Sequence, residues 1–232
     1  EDELSCFAGN HIQQGNMFGL LAMGNVSNYS NLEQHRIIYE SLVKLTLHEV
    51  GHTLGLSHNF YASKLHSFNN IHERHITEPI GLTSSVMDYV SANVGVNSKN
   101  HGQFYTTTPG PYDILAIEFG YTPSFLNQED EKERVRTLLS KSTQKQYGYG
   151  NDSDDMRSPG RGIDPRIMIS DMSDDAVGYA QQRMDIINSL HPTLLKRFQK
   201  KGESYHEFRN AFYILNSCLL YTSDAADERS SV

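Results

Sequence analysis

An eleven-residue stretch, HEVGHTLGLSH at 48–58, constrains this chain more than any other feature. His48 and His52 stand four residues apart, a spacing that places both side chains on one face of a helix. Gly55 lets the chain turn away from the helix axis, and His58 follows three residues later, where it can return to the same point. Three neutral imidazoles bind zinc and leave its fourth position open, as in catalytic sites. The stretch therefore predicts a catalytic zinc site with these three histidines as ligands.

Glu49 adds a proton acceptor to the predicted site. It follows His48 directly, so its side chain is rotated about 100 degrees around the helix from that ligand. This offset lets the carboxylate approach a metal-bound water instead of the metal itself. A carboxylate so placed can take a proton from the water and later deliver it to a leaving amine. We therefore expect Glu49 to be the general base.

The helix that carries these residues has a clear start and end. The sequence SNLE offers a capping box, in which Ser30 and Glu33 each bind a free backbone amide of the other. Apolar residues then recur at helical spacing as far as the histidines. Gly55 follows the last turn, a position where glycine commonly ends a helix. We predict one helix from Ser30 to about Leu54.

The rest of the chain indicates helices separated by loops. Residues 59–110 read as a long irregular region, and loops of that length are usually functional. Asp113 is expected to cap a helix that Gly120 ends. Further helices are predicted over residues 128–140, 174–190, 192–200 and 204–216. The turn-rich sequence of residues 147–165 is typical of an exposed linker.

Composition narrows the range of partners. The 232 residues carry a formal charge of -8, which is the wrong sign for binding a phosphate backbone, so we expect no nucleic acid. No apolar run approaches the roughly 18 residues that span a bilayer, so we expect no membrane span in this segment. These features leave the substrate open; a protein or peptide substrate is implied only by the resemblance described next. The sequence gives no indication of an oligomeric state.

Four motifs together resemble a known family. They are HEVGHTLGLSHNF, SSVMDY at 84–89, GPYDILAIEFGY at 110–121, and DPR beginning at Asp164. The first two resemble the metzincin clan of zinc endopeptidases, which have a methionine turn below the metal. The full set is similar to the large secreted bacterial Met-zincin family. That resemblance implies that Met87 lies under the imidazoles, that Tyr89 acts at the metal, and that the protein is secreted or lies in the periplasm or cell envelope.

The resemblance also implies a domain organisation and a fold. The fold class we expect is mainly α with long loops: the C-terminal part of an α+β metzincin catalytic domain, followed by a helical extension. Residues 1–123 would form the zinc-binding catalytic region, with the upstream sheet missing, and residues 124–217 the helical extension. Residues 218–232 resemble the translated read-through of a sequencing adapter, so we interpret them as a non-native tail.

Other interpretations remain open at this point. The chain is either a zinc endopeptidase, a catalytically idle module in which zinc only stabilises the fold, or an inactive truncated fragment. His66, His72 and His75 form a second group of histidines, which we interpret as part of a solvated loop. The aspartates of residues 152–155 and 171–175 lack the spacing of a known calcium loop. The remaining histidines are isolated in the sequence: His11, His35, His101, His191 and His206.

Overall fold

The computed structural model describes residues 7–24, 29–96, 101–155, 164–199, 201–202 and 204–217. The α-helices of this part are α1 (Ala8–Met23), α2 (Asn31–Thr53), α3 (Arg74–Ile80), α4 (Pro111–Tyr121), α5 (Gln128–Ser140), α6 (Ala176–Phe198) and α7 (206–217). Short 3-10 helices span Ala62–Leu65, Lys141–Thr143 and Lys145–Tyr147. Within the same ranges, β pairing is limited to an isolated antiparallel bridge between Glu73 and His101.

Helix α2 confirms the prediction made from its capping signals. The Ser30 hydroxyl accepts the Glu33 N–H at 3.3 Å, and the Glu33 carboxylate accepts the Ser30 N–H at 2.8 Å. The helix ends at Thr53, and Gly55 has a φ of 83°, a left-handed conformation that glycine adopts without strain. The chain therefore leaves the helix axis between the second and third histidines, as their spacing requires.

The largest core lies between α1, α2, α6 and α7. Phe18 from α1 and Ile37 from α2 are fully buried, as are Ile187 from α6 and Leu215 from α7. The Ile37 side chain occupies the space that a β-carbon at Gly19 would need, so α1 and α2 approach closely. Helix α1 was not among the predicted helices; three glycines within it, Gly9, Gly15 and Gly19, lower its helix propensity.

Residues 59–110 are largely irregular, as predicted, but the solvated loop expected around His66, His72 and His75 is not solvated throughout. His66 is buried, and so are nearly all the described residues of the segment between 82 and 106. Side chains satisfy its backbone groups: the Thr106 hydroxyl accepts the N–H groups of Leu82 and Thr83, and Asn93 donates to the carbonyls of Ile71 and Gln103. Buried irregular backbone is stable only when its polar groups are paired in this way.

Several predicted helix boundaries need correction. Helix α5 spans the predicted 128–140, but α4 begins at Pro111 and ends at Tyr121, so Gly120 does not end it. Helix α6 continues through Pro192 to Phe198, where two separate helices were expected. The continuous helix buries both Leu190 and Leu194 against the core, and this burial favours it over a break at the proline.

Two further features concern the outer surface and the chain's ends. Along one face of α2 the side chains of Tyr39, Leu42, Val50 and Leu54 are exposed. In the part of the chain that the structure describes, no helix combines the length and the apolar character that crossing a bilayer requires.

The tail expected at residues 218–232 lies outside the described residues. The α+β character of a larger catalytic domain stays a prediction.

Candidate metal centre

The three histidines of the motif converge. The ring centroids of His48 and His52 are 4.8 Å apart, and that of His58 lies 5.4 Å and 4.9 Å from them. One potential ligand nitrogen from each ring lies within 4.8 Å of the other two. No other group of three or more histidine, cysteine or acidic residues among the described ranges meets this geometry. The triad can therefore hold a metal ion.

Hydrogen bonds fix the orientation of each ring. The Nδ1 of His48 lies 2.9 Å from the Val86 carbonyl oxygen, and that of His52 lies 3.0 Å from the Leu56 carbonyl oxygen. Carbonyl oxygens only accept, so each Nδ1 donates and Nε2 keeps the lone pair that a metal needs. The Nε2 of His52 is buried with no hydrogen-bond partner in the described structure. This nitrogen set fits a zinc ion.

Burial keeps the first ligand neutral. His48 is completely buried. Desolvation and, to a smaller extent, the charge of the neighbouring Lys44 lower the pKa of His48 to about 3. A neutral imidazole is the form that binds a metal, so this ring is ready to coordinate over the whole physiological pH range.

Met87 forms the floor beneath the imidazoles. Its side chain is fully buried, and its sulfur occupies the position that a β-carbon at Gly51 would take. Gly51 lies between the first two histidines, so the absence of a side chain there lets the thioether approach α2 directly. The Met87 carbonyl accepts the N–H of Asn59, the residue after the third histidine, at 3.1 Å. The methionine turn thus contacts both segments that carry ligands.

Two buried charged residues hold this turn in place. Lys44, one turn before the first histidine, donates to the carbonyls of Val86 and Asp88. The Asp113 carboxylate accepts the Val86 N–H at 2.8 Å and also binds the Ser85 hydroxyl. Burial raises the pKa of Asp113, and these hydrogen bonds oppose that rise. Asp113 contributes to the cap of α4, as the sequence suggested, but from the first turn: Gly110 is the N-cap residue, and its N–H donates to the Asp113 carboxylate at 2.8 Å. The same carboxylate also holds the methionine turn.

A further buried ionic group lies beside the turn. The Asp88 carboxylate accepts the Ser63 N–H at 2.8 Å, and Lys64 binds Asp171. Burial raises the pKa of Asp88 well above its ordinary value, and the charge of Asp171 adds to this effect. Residue 171 belongs to the predicted C-terminal extension, so this extension contributes to the packing below the metal centre.

Tyr89 lies at the outer side of the centre. Its hydroxyl is 3.0 Å from the Nε2 of His58 and accepts the Phe7 N–H at 3.1 Å. Its ring stacks on His11, with centroids 5.8 Å apart and an interplanar angle of 20°. Residues of α1 and Tyr89 line a cavity of about 310 Å³. His11, which seemed isolated in the sequence, is therefore next to the metal centre.

Asp152 is the residue at this centre that sequence reasoning missed. Both of its carboxylate oxygens lie 2.9 Å from the Nδ1 of His58. The preceding Gly150 is buried, so the segment around it is not the freely exposed linker that its composition indicates. No spacing rule could have identified this pair, because the two partners are 94 positions apart in the sequence.

Glu49 is exposed on α2, directly after the buried first ligand. The other histidines and acids that the sequence singled out have separate partners. His66 binds the Gly81 carbonyl at 2.8 Å, His72 lies 3.0 Å from the Gln182 amide oxygen, and the side chain of His75 is 78% exposed. The acids pair as follows: Asp171 with Lys64, Asp174 with Lys145, and Asp175 with the Gly178 N–H at the start of α6.

The fold and the site define a class: a helical domain in which three histidines converge above a methionine turn. A family model described as Met-zincin matches residues 30–225, most of the chain, and the chain therefore belongs to the Met-zincin family. This confirms the resemblance drawn from the motifs. No curated protein and no solved structure matches the chain. Family membership and the histidine triad together indicate a metalloprotease-like domain.

Proposed function

We propose that this domain is a zinc endopeptidase that hydrolyses peptide bonds of protein or peptide substrates. The observation that carries the proposal is the triad itself, in which three imidazoles converge while the Nδ1 atoms of His48 and His52 donate to backbone carbonyls. Zinc bound there would supply a Lewis acid and an acidified water. His48, His52 and His58 would hold it, and imidazole ligands suit zinc well.

The protein's own residues would divide the remaining work. Glu49, exposed beside the first ligand, would accept the proton of the attacking water and pass it to the departing amine. Tyr89, whose hydroxyl lies 3.0 Å from a ligand nitrogen, would donate a hydrogen bond to the developing oxyanion. Both roles follow from residue type and position, and each is open to a direct test.

We also propose that further polypeptide completes the substrate cleft. The apolar side chains exposed along α2 support this, because an enzyme normally covers such a row. The family resemblance supports a sheet at this place and a secreted, periplasmic or cell-envelope location. We therefore expect a chain extended upstream of Glu1 by its native sequence to cleave protein, and this chain alone to bind zinc without efficient cleavage.

The decisive experiment compares Glu49→Ala with the unaltered sequence, in both the present and the extended chains. Metal content is measured by mass spectrometry and hydrolysis with a fluorogenic peptide library. We expect zinc to be retained and hydrolysis by the extended chain to fall by about 10²–10⁴-fold. Glu133→Ala, which removes an exposed acid of α5, is the matched control. Zinc binding with no hydrolysis by either unaltered chain would instead indicate the idle metal-stabilised module.

A further inference from the structure

The third ligand is held differently from the other two. His48 and His52 lie on the rigid helix α2, and backbone carbonyls orient both rings. His58 lies beyond the end of that helix, and its Nδ1 instead donates to the side chain of Asp152. A ligand outside a helix has more freedom to reorient, so its geometry depends more strongly on the partner that holds it.

Contacts from the residues that follow His58 hold Asp152 in this position. Asn59, completely buried and next to the third ligand, donates to the Gly148 carbonyl at 3.0 Å and accepts the Gly150 N–H at 3.2 Å. The N–H of Phe60 donates to the Gly150 carbonyl at 2.7 Å. The segment 148–152 is therefore fastened to the residues that directly follow His58.

Close packing supports the same attachment. The ring of Tyr61 occupies the space that a β-carbon at Gly148 would need. After the glycines, the turn is closed by the Asp154 carboxylate, which accepts the Asn151 N–H at 3.0 Å. The backbone on both sides of Asp152 is thus fixed, and this holds its side chain next to the His58 imidazole.

The charge of Asp152 matches this role. Both oxygens of its carboxylate lie 2.9 Å from the Nδ1 of His58, so an acidic acceptor faces the ring nitrogen that does not bind the metal. An ionised carboxylate that accepts the Nδ1–H fixes the tautomer of the ring and increases the electron density at Nε2. Both effects strengthen coordination of a metal by His58.

We propose that Asp152 is a positioning residue that determines the metal affinity of the centre through His58. The segment 148–152 lies beyond the predicted boundary near residue 124, so metal binding by the motif depends on the downstream part of the chain. The inference rests on the metal site of the proposed function but not on peptide hydrolysis. Loss of comparable partners typically weakens metal binding by about 10–100-fold.

The test measures zinc affinity by competition with a chromogenic chelator. We expect Asp152→Ala to weaken zinc binding by about 10–100-fold, and Asp152→Asn, which keeps an accepting oxygen but loses the charge, to have a smaller effect. The matched control is Ser153→Ala, which removes an exposed side chain from the next position. Asp152 is largely exposed, so we expect its substitution to leave the fold intact. Circular dichroism of the metal-free proteins checks that all variants fold alike.

A double-mutant cycle distinguishes positioning from a general loss of structure. Asn59→Ala removes the side chain that fastens the segment, so it is expected to weaken zinc binding by the same route. If Asp152 acts through that attachment, the two substitutions combined weaken binding less than the product of their separate effects. Independent, multiplying effects would show that Asn59 does not deliver Asp152 and would overturn the argument from the attachment.

The outcomes separate this inference from the proposed function. Zinc binding by the unaltered chain with equal affinity in Asp152→Ala overturns the role of Asp152 and leaves the peptidase proposal standing. Weaker binding by Asp152→Ala together with no hydrolysis by the extended chain supports the role and contradicts the peptidase. A chain that binds no zinc at all overturns both.

Discussion

The floor and the outer side of the metal centre are built in different ways. The floor consists of Met87 and the turn around it, which are fully buried and are held by Lys44 and Asp113. The outer side consists of Tyr89, Asp152 and the first turn of α1, which meet at a cavity partly open to solvent. The difference teaches that the floor fixes the fold around the three histidines, whereas the outer side holds the side chains that contact His58 beside an open cavity.

Breaking the floor should have the largest effect on stability. Lys44→Met keeps the volume of the side chain but leaves two buried backbone carbonyls without their donor and removes one of the two cations near Asp88. We expect the free energy of unfolding to fall by about 3–5 kcal/mol, as when one partner of a buried ionic contact is removed. Urea denaturation measures the change. Lys132→Met, which alters an exposed pair on α5, should leave stability nearly unchanged.

A change on the outer side should affect turnover instead. Tyr89→Phe removes the hydroxyl near His58 and leaves the ring stacked on His11. We expect the kcat of the extended chain to fall by about 10²–10³-fold, with zinc content and stability preserved. Tyr39→Phe removes a hydroxyl from an exposed ring of α2 and serves as control. An unchanged kcat would show that the Tyr89 hydroxyl takes no part in catalysis and that its ring serves only in packing.

Gly51→Ala tests how closely the floor fits. The added methyl group would meet the sulfur of Met87, which is buried and has little space to move. We expect a loss of about 1–3 kcal/mol in stability, typical of overpacking. The control is Gly9→Ala in α1, where nothing lies near the added atom and helix propensity favours alanine. Equal melting temperatures for Gly51→Ala and the unaltered chain would show that the floor is loose.

The effect that is smallest per step of the variable concerns pH and a buried histidine away from the centre. Burial lowers the pKa of His101 to about 3 from an ordinary value near 6.5. Between these values the unfolded chain binds a proton at this histidine that the folded chain does not, so acidification destabilises the fold. His101 should contribute roughly 1.4 kcal/mol of this loss per pH unit. Chemical denaturation between pH 6.5 and 4 should show a shallower dependence in His101→Phe than in the control His75→Phe.

The local part of this protein was predictable from sequence because it depends on near neighbours. The capping box of Ser30 and Glu33, the end of α2 before Gly55 and the bounds of α5 are all set by contacts within a few residues. Predictions failed where contacts with distant segments of the chain determine the local structure. Asp113 helps to cap α4, but its contact with the methionine turn was not predicted, and Pro192 looked like a helix end but lies within α6.

The sequence by itself determined the candidate ligands: three histidines at fixed offsets with an acid beside the first, recognisable because helix periodicity and glycine geometry are local rules. The methionine turn was recognised only through the resemblance to the family. Only the tertiary structure decided which groups support that chemistry. Lys44 is buried against the turn, His11 stacks on Tyr89, and Asp152 reaches His58 from 94 positions away. Such partners are chosen by packing of the whole chain, and no spacing in the sequence encodes them.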